Sequence, residues 1–303
     1  MMNNTKLFPF INESSGSNLG QKRSDWLRSR IPEERLGDIT VVGPDDDFAA
    51  KQKQCLELCK KSDGMVLLSG GDGTVNGWLD LLHESQVPFA LLPSGTFNLF
   101  AHDFDIPLDL DEALNVALNG EIRKTGMGRI NGHSFIVSAS IGLHTRMLEQ
   151  RERTTKQYGR NRFVSFLSGT FAALTQIYLF KAKVKLPTGL QMFKTPMVMA
   201  TLSESHLVPI GIEPKKTLRK GTLACFVLKA KTWKQMLAVL IKGATGFLAH
   251  DKHLMVSELK EFEFSINKKR MKACLDGEFV FLHSPMKVEL VPQALNFVHK
   301  HAD

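Results

Sequence analysis

MVLLSGGDGTVNGWLDLL, residues Met65 to Leu82, opens as an apolar run from Met65 to Leu68 that suits a buried strand. It passes through Ser69, Gly70, Gly71, Asp72 and Gly73, then continues from Thr74 to Leu82 with apolar residues at helical spacing. The stretch predicts a strand, a tight glycine turn and the start of a helix. Glycines permit positive φ and a close approach of backbone to ligand, and the unpaired N–H groups of a helix start attract an anion. A phosphate fits that chemistry, and three glycines around one aspartate exceed what a plain turn needs. The Gly-Lys-Ser/Thr ending of a P-loop and the spacing of a dinucleotide fingerprint are both missing, so any kinase chemistry here needs a different cradle.

The flanking sequence repeats the pattern. Lys6 to Ile11 reads as a strand, followed by Asn12-Glu13-Ser14-Ser15-Gly16, a loop of small polar residues, and a polar helix from about Leu19 to Arg30. Ile39 to Val42 is a short strand, and Asp47 is placed to cap a helix from Phe48 to Lys60. Downstream, Pro88 to Leu92 reads as a strand, Pro93-Ser94-Gly95-Thr96-Phe97-Asn98 as a second glycine and hydroxyl loop, and a short helix runs on to Asp103. Asp109 caps a further helix, Leu110 to Leu118, closed by Asn119-Gly120. Strands alternating with helices argue for a parallel sheet, whose loops at the carboxyl ends of neighbouring strands converge on one crevice.

Near Arg123 the pattern changes. Arg129 to Ser134 is a hairpin signal, followed by an apolar strand through Ile141. Arg151 to Arg162 reads as a basic loop and Phe163 to Phe180 as a hydrophobic helix. Strands follow at Met197 to Leu202, Thr222 to Leu228, Phe262 to Ile266 and Met271 to Leu275, with an apolar helix from Trp233 to Leu248. Asp276-Gly277-Glu278 admits two readings. One is a hairpin turn; the other is a carboxylate pair in which one member removes a proton from a substrate hydroxyl.

A chain of 303 residues with 43% hydrophobic and 23% charged residues suits two globular domains. No apolar signal core opens it and no long apolar span follows, so a cytoplasmic location is expected. Four scattered cysteines, Cys55, Cys59, Cys225 and Cys274, fit buried reduced thiols better than a disulfide scaffold or a zinc site. Residues 1–125 hold 12 Lys and Arg against 19 Asp and Glu, a charge of −7, whereas residues 126–303 hold 27 against 12, a charge of +15. Such a basic second half suits nucleic acid or an anionic membrane surface, and charge alone does not choose.

Asn12 to Gly16, Gly70 to Asn76, Pro93 to Asn98 and Asp276 to Glu278, in that order and spacing, resemble the diacylglycerol kinase catalytic-domain family, the soluble lipid kinases related to the sphingosine kinases. The resemblance implies an α/β, Rossmann-like nucleotide domain with a parallel sheet over residues 1–124 plus about 288–303, and a β-rich, β-sandwich-like lipid domain over residues 125–287. By the same resemblance Asn12, Ser15 and Gly16 line an ATP site. Gly70, Gly71, Asp72, Gly73, Thr74 and Asn76 cradle its phosphates, and Ser94, Gly95, Thr96 and Asn98 close the other side. Asp72 acts through Mg2+, and Asp276 with Glu278 supplies the base for the hydroxyl of a membrane lipid, diacylglycerol or a relative. The basic half then serves peripheral contact with an anionic membrane surface.

The chain departs from the family pattern at Glu13, where a proline is usual, at Leu99 and Gly126, where many members have Asp, and at Arg219-Lys220, where an acidic pair often binds a structural metal. Asp103 and Asp105 stand nearby as substitute carboxylates. A non-catalytic nucleotide or lipid sensor and an NAD kinase-like enzyme are the competing readings. Nucleic acid is set aside for want of a stacking platform, and the oligomeric state, a homodimer included, stays open.

Overall fold

The computed structural model describes residues 5–15, 20–158, 178–186, 188–203, 221–248 and 251–301. Gly16, the Arg219-Lys220 pair and most of the helix expected at 163–180 lie outside them. The chain divides into two units, Met1–Met127 with Pro292–Asp303, and Gly128–Val291.

In the first unit the strands are β1 (Leu7–Asn12), β2 (Thr40–Val42), β3 (Met65–Gly70) and β4 (Phe89–Pro93), and the helices are α1 (Gly20–Arg30), α2 (Phe48–Lys61), α3 (Asp72–Ser85), α4 (Leu99–Asp103) and α5 (Leu110–Asn119). The strands pair in parallel in the order β2-β1-β3-β4, and the terminal stretch adds to β4 with Phe297 opposite Phe89. Every residue of β3 and β4 is buried, as strands covered on both faces require. Val75, Trp78, Leu79 and Leu82 recur at helical spacing and bury one face of α3. There Trp78 meets Phe10 edge to face at 4.9 Å. Asp47 and Asp109 cap their helices, accepting the N–H groups of Ala50 and Glu112. Gly120 ends α5 at φ −71°, outside the left-handed region expected of a glycine cap. Space explains the glycine, because a Cβ there would lie 2.3 Å from the His299 carbonyl oxygen.

The second unit begins within β5 (Glu121–Ile130), which turns through Asn131 and Gly132, both at positive φ, into β6 (His133–Phe135). Then come β7 (Ser138–Gly142), α6 (Leu143–Tyr158), β8 (Phe180–Leu186), β9 (Gly189–Thr195), β10 (Met197–Thr201), β11 (Leu223–Leu228) and α7 (Trp233–Ala244). The last strands are β12 (Leu254–Leu259), β13 (Glu261–Ile266), β14 (Arg270–Leu275), β15 (Glu278–His283) and β16 (Met286–His299). An antiparallel sheet ordered β12-β11-β10-β7-β14-β15 faces a second layer in which β13 lies between the start of β16 and β8, and β9 follows β8. Phe135, Phe180, Val184, Val198, Val227 and Phe264 fill the space between the layers, giving the sandwich-like core. Residues 151–158 are helical where a loop is expected from their charge. The helix is anchored upstream by Leu143 and Met147, which pack under α7, and Arg, Glu, Lys and Gln are good helix formers, so charge alone does not argue for a loop.

Candidate functional site

Because β1, β3 and β4 run parallel, the loops after them leave the same edge of the sheet. Side chains join the first two loops. Asn12 Nδ2 donates to Thr74 Oγ1 at 3.0 Å, and the Ser15 and Thr74 hydroxyls lie 3.0 Å apart. Thr74 is 2% exposed, so these two partners hold the first turn of α3 from beneath. The second and third loops meet through backbone. Ser94 N donates to the Gly70 carbonyl at 2.9 Å, and a Cβ on Gly71 or on Gly95 would fall 2.7 Å or 2.6 Å from the Cα of the other. A Cβ on Gly70 would lie 2.2 Å from Thr74 Oγ1.

These contacts revise the reason for the glycines. Gly71 has φ −104°, and Gly70, Gly73 and Gly95 are absent from the positive-φ residues of the chain. Close approach of two loops, with no room for a side chain, selects glycine at 71 and 95, and the Thr74 side chain occupies the space beside Gly70. The first turn of α3 leaves the N–H groups of Asp72 and Gly73 without acceptors inside the helix, and Gly73 is exposed.

Asp72 stands at the first position of α3, where its charge favours the helix start. Its carboxylate also reaches the next helix. Oδ2 accepts the Leu99 N–H at 3.1 Å and Oδ1 the Phe100 N–H at 3.0 Å, so Asp72 caps α4. Asn98, at φ 49°, uses both ends of its amide within its own loop: Oδ1 accepts from Gly95 N at 2.9 Å and Nδ2 donates to the Gly95 carbonyl at 3.1 Å. Asn98 therefore holds the loop shut, while Thr96 is exposed, Ser94 half-buried, and Asn76 one turn into α3. Asp103 closes α4 and Asp105 follows at φ 54°. Among the described residues no three carboxylate, cysteine or histidine side chains gather to hold a metal ion.

Arg23 is the residue that sequence reading passes over. From the fourth position of α1 its Nη1 donates to Ser69 Oγ at 3.0 Å, beside the glycine turn. Ser69 is 2% exposed, and burial pulls the guanidinium pKa down from its usual value. In the run Gln21-Lys22-Arg23-Ser24-Asp25 nothing distinguishes it from a solvated helix face.

In the second unit Asp276 and Gly277 form the turn between β14 and β15, at φ 49° and 101°, with Leu275 paired to Glu278. The turn also carries a clamp. Asp276 Oδ2 accepts the Ile136 N–H at 2.7 Å, and Oδ1 accepts those of Val137 at 2.9 Å and Ser138 at 2.7 Å. Glu278 opens β15 and is exposed. All four cysteines are free and buried, and burial pushes the Cys225 thiol up to about 12.

Residues 6–130 match the diacylglycerol kinase catalytic domain family. The diacylglycerol kinase of Bacillus subtilis is 24% identical over 274 residues, spanning 88% of this chain and 88% of its own. An uncharacterised Synechocystis protein is 22% identical over 301 residues, 94% of this chain and 68% of its own. The crystal structure of a diacylglycerol kinase from Bacillus anthracis shares the fold, with a TM-score of 0.68 at 19% identity over 97% of each chain. Fold, loop order and sequence match agree: residues 6–130 are similar to the diacylglycerol kinase catalytic domain, and the chain shares the fold of the solved Bacillus anthracis structure.

Proposed function

We propose that the protein is an ATP-dependent lipid kinase that moves the γ-phosphate of ATP onto a hydroxyl of diacylglycerol or a related lipid. The joined edge of the parallel sheet carries this reading: Asn12, Ser15 and Thr74 bonded to one another, with Gly71 against Gly95. The N–H groups of Asp72 and Gly73 and the guanidinium of Arg23 present positive charge where phosphates would lie, and phosphoryl transfer depends on such positioning and charge neutralisation.

The donor set also fits magnesium carried by the nucleotide. Mg2+ keeps waters and substrate phosphates and asks the protein for one or two carboxylates. Asp72 would hold it, through lone pairs that its two N–H bonds leave over. The bound ion would neutralise charge on the transferring phosphoryl group. In the second unit the work divides between the paired acids. Asp276 spends its oxygens on three backbone N–H groups and is a positioning residue, whereas exposed Glu278 is the base. The lipid oxygen attacks the γ-phosphorus, the bond to the bridging oxygen breaks to release ADP, and the hydroxyl proton passes to Glu278.

Transfer of γ-labelled phosphate tests the proposal, with diacylglycerol, monoacylglycerol, sphingosine, ceramide and phosphatidylglycerol as acceptors and NAD as a control. A labelled lipid is expected, and Glu278→Gln should cut the rate by about 100-fold without changing the melting temperature. Undiminished turnover in Glu278→Gln overturns the assignment of the base, and label on NAD moves the enzyme to another substrate class. The non-catalytic reading draws on Leu99 and Gly126, which bring no carboxylate to Asp72. It predicts ATP binding with no labelled product.

A further inference from the structure

The kinase reading leaves α7 without a task. Its inner face, Met236 and Val239, packs with Leu143, Leu228, Ala230 and Leu248. Beside that face Trp233, Leu237 and Ile241 recur every four residues, which aligns them in one stripe, and they are 55%, 38% and 56% exposed. Phe247, just past the helix, is 76% exposed. A helix of a globular domain turns polar side chains outward at such positions. Exposed apolar residues scattered singly need no explanation, but a continuous row of large ones marks a surface that meets something.

The charges around the stripe say what it meets. Lys229, Lys231, Lys234, Lys242 and Lys252 lie within residues 229–253, where the one acid is Asp251. That acid is turned inward: its side chain is 3% exposed and bonded to Lys242 Nζ and His253 Nδ1. The surface is therefore apolar and cationic, with no exposed carboxylate from this segment. Lys234 Nζ stands 5.8 Å from the centre of the Trp233 ring, so the indole lies where apolar and charged surfaces meet. Long lysine stems can lie along apolar surface while their heads reach outward. A twofold copy of the chain would set these lysines against themselves, since such an interface presents the same patch from both sides.

We propose that this face of α7 is the surface by which the protein rests on an anionic lipid membrane. Trp233, Leu237, Ile241 and Phe247 enter the headgroup layer, while the lysines meet lipid phosphates. The proposal extends the lipid-kinase reading by naming the element that brings the enzyme to its substrate, and it rests on that reading for its purpose alone. Vesicle binding is measurable without turnover.

The wild-type protein is sedimented with vesicles of phosphatidylcholine alone and of phosphatidylcholine with phosphatidylglycerol. Binding is expected to the anionic vesicles only, with a blue shift in tryptophan emission that Trp233→Phe abolishes while Trp26 and Trp78 remain. Binding should weaken as salt shortens the screening length from about 10 Å at 0.1 M to about 3 Å at 1 M. Leu237→Ser/Ile241→Ser and Lys231→Glu/Lys234→Glu should each lower partition about tenfold or more, with the melting temperature kept. Turnover of a short-chain, water-soluble diacylglycerol should stay at the wild-type level in both variants. Wild-type protein that ignores anionic vesicles overturns the proposal, as does binding that neither variant reduces, or a dimer that both variants break without any vesicle binding. If instead the kinase reading is the one that fails, no lipid is labelled while the vesicle binding and its loss in the variants persist.

Discussion

Asp72 and Asp276 look alike in sequence, each an acid beside glycine at a turn, yet they serve the two units differently. The oxygens of Asp72 accept two N–H groups from the start of α4, 27 and 28 residues further along. Those of Asp276 accept three, from the Ile136–Ser138 segment, whose nearest member is 138 residues back in the chain. The first acid ties two neighbouring loops at one edge of the parallel sheet. The second pins a hairpin to a distant strand of a sandwich. An acid in a turn is available for chemistry only to the extent that the fold leaves its lone pairs open, and here that differs between the units.

The largest expected effect sharpens the contrast directly. Asp276→Ala leaves three N–H groups without their charged acceptor and should cost about 3 kcal/mol or more, whereas Asp72→Ala, at a partly exposed helix start, should cost about 1 kcal/mol. Chemical denaturation of both variants checks this, and equal losses would break the comparison. Next is Gly95→Ala. Its methyl group would lie against the Cα of Gly71 and Asn98 Oδ1, so one of the two loops must shift. A loss of about 1–3 kcal/mol is expected, with weaker binding of an ATP analogue by calorimetry. Unchanged binding would show that the close approach of the loops is not what shapes the site.

The smallest effect concerns acid, and it separates the units by pH. His299 lies among the rings of Phe104 and Phe297, at 5.2 and 5.1 Å between centres, and its Nε2 has no partner among the described residues. Burial first, and the charge of Arg123 second, push its pKa from 6.5 down to about 4. The unfolded chain takes up this proton below about 6.5 and the folded chain only near 4, so stability falls as pH drops through that window. In the second unit the Lys242 bond, aided by the His253 N–H, holds Asp251 at about 2. Its contribution is intact above about 4 and is lost only as pH falls toward 2. Hydrogen exchange followed from pH 7 to pH 3.5 should therefore show the terminal strand of the first unit loosening before the α7–β12 connection, and His299→Phe should remove the early phase.

Much of the architecture was legible because it is local. The apolar strand–glycine–helix run of residues 65–82, the caps at Asp47 and Asp109, and the Asn131-Gly132 and Asp276-Gly277 turns depend on neighbours within a few residues, and the structure shows each of them. β8 carried an equally local signal, Lys181, Lys183 and Lys185 alternating with Ala182, Val184 and Leu186, and its buried and exposed sides follow that alternation. The sequence reading ends its helix at Phe180, where β8 begins, and assigns no element to the alternating residues after it. Residue types alone also brought three loops forward as one candidate site, since glycines, hydroxyls and an acid at the ends of strands form a small vocabulary.

Why those residues stand there was settled by tertiary structure. Gly71 and Gly95 are 24 positions apart, and only their backbone contact explains the absence of side chains. Arg23 belongs to the site because α1 lays it on Ser69, 46 residues away. The outward row on α7 became a surface once Met236 and Val239 were seen to take the inner side of an almost wholly apolar helix. Sequence determines which hydrogen bonds and apolar contacts are available at short range. Which of them a distant part of the chain uses depends on where the backbone brings that part, and only the folded arrangement decides it.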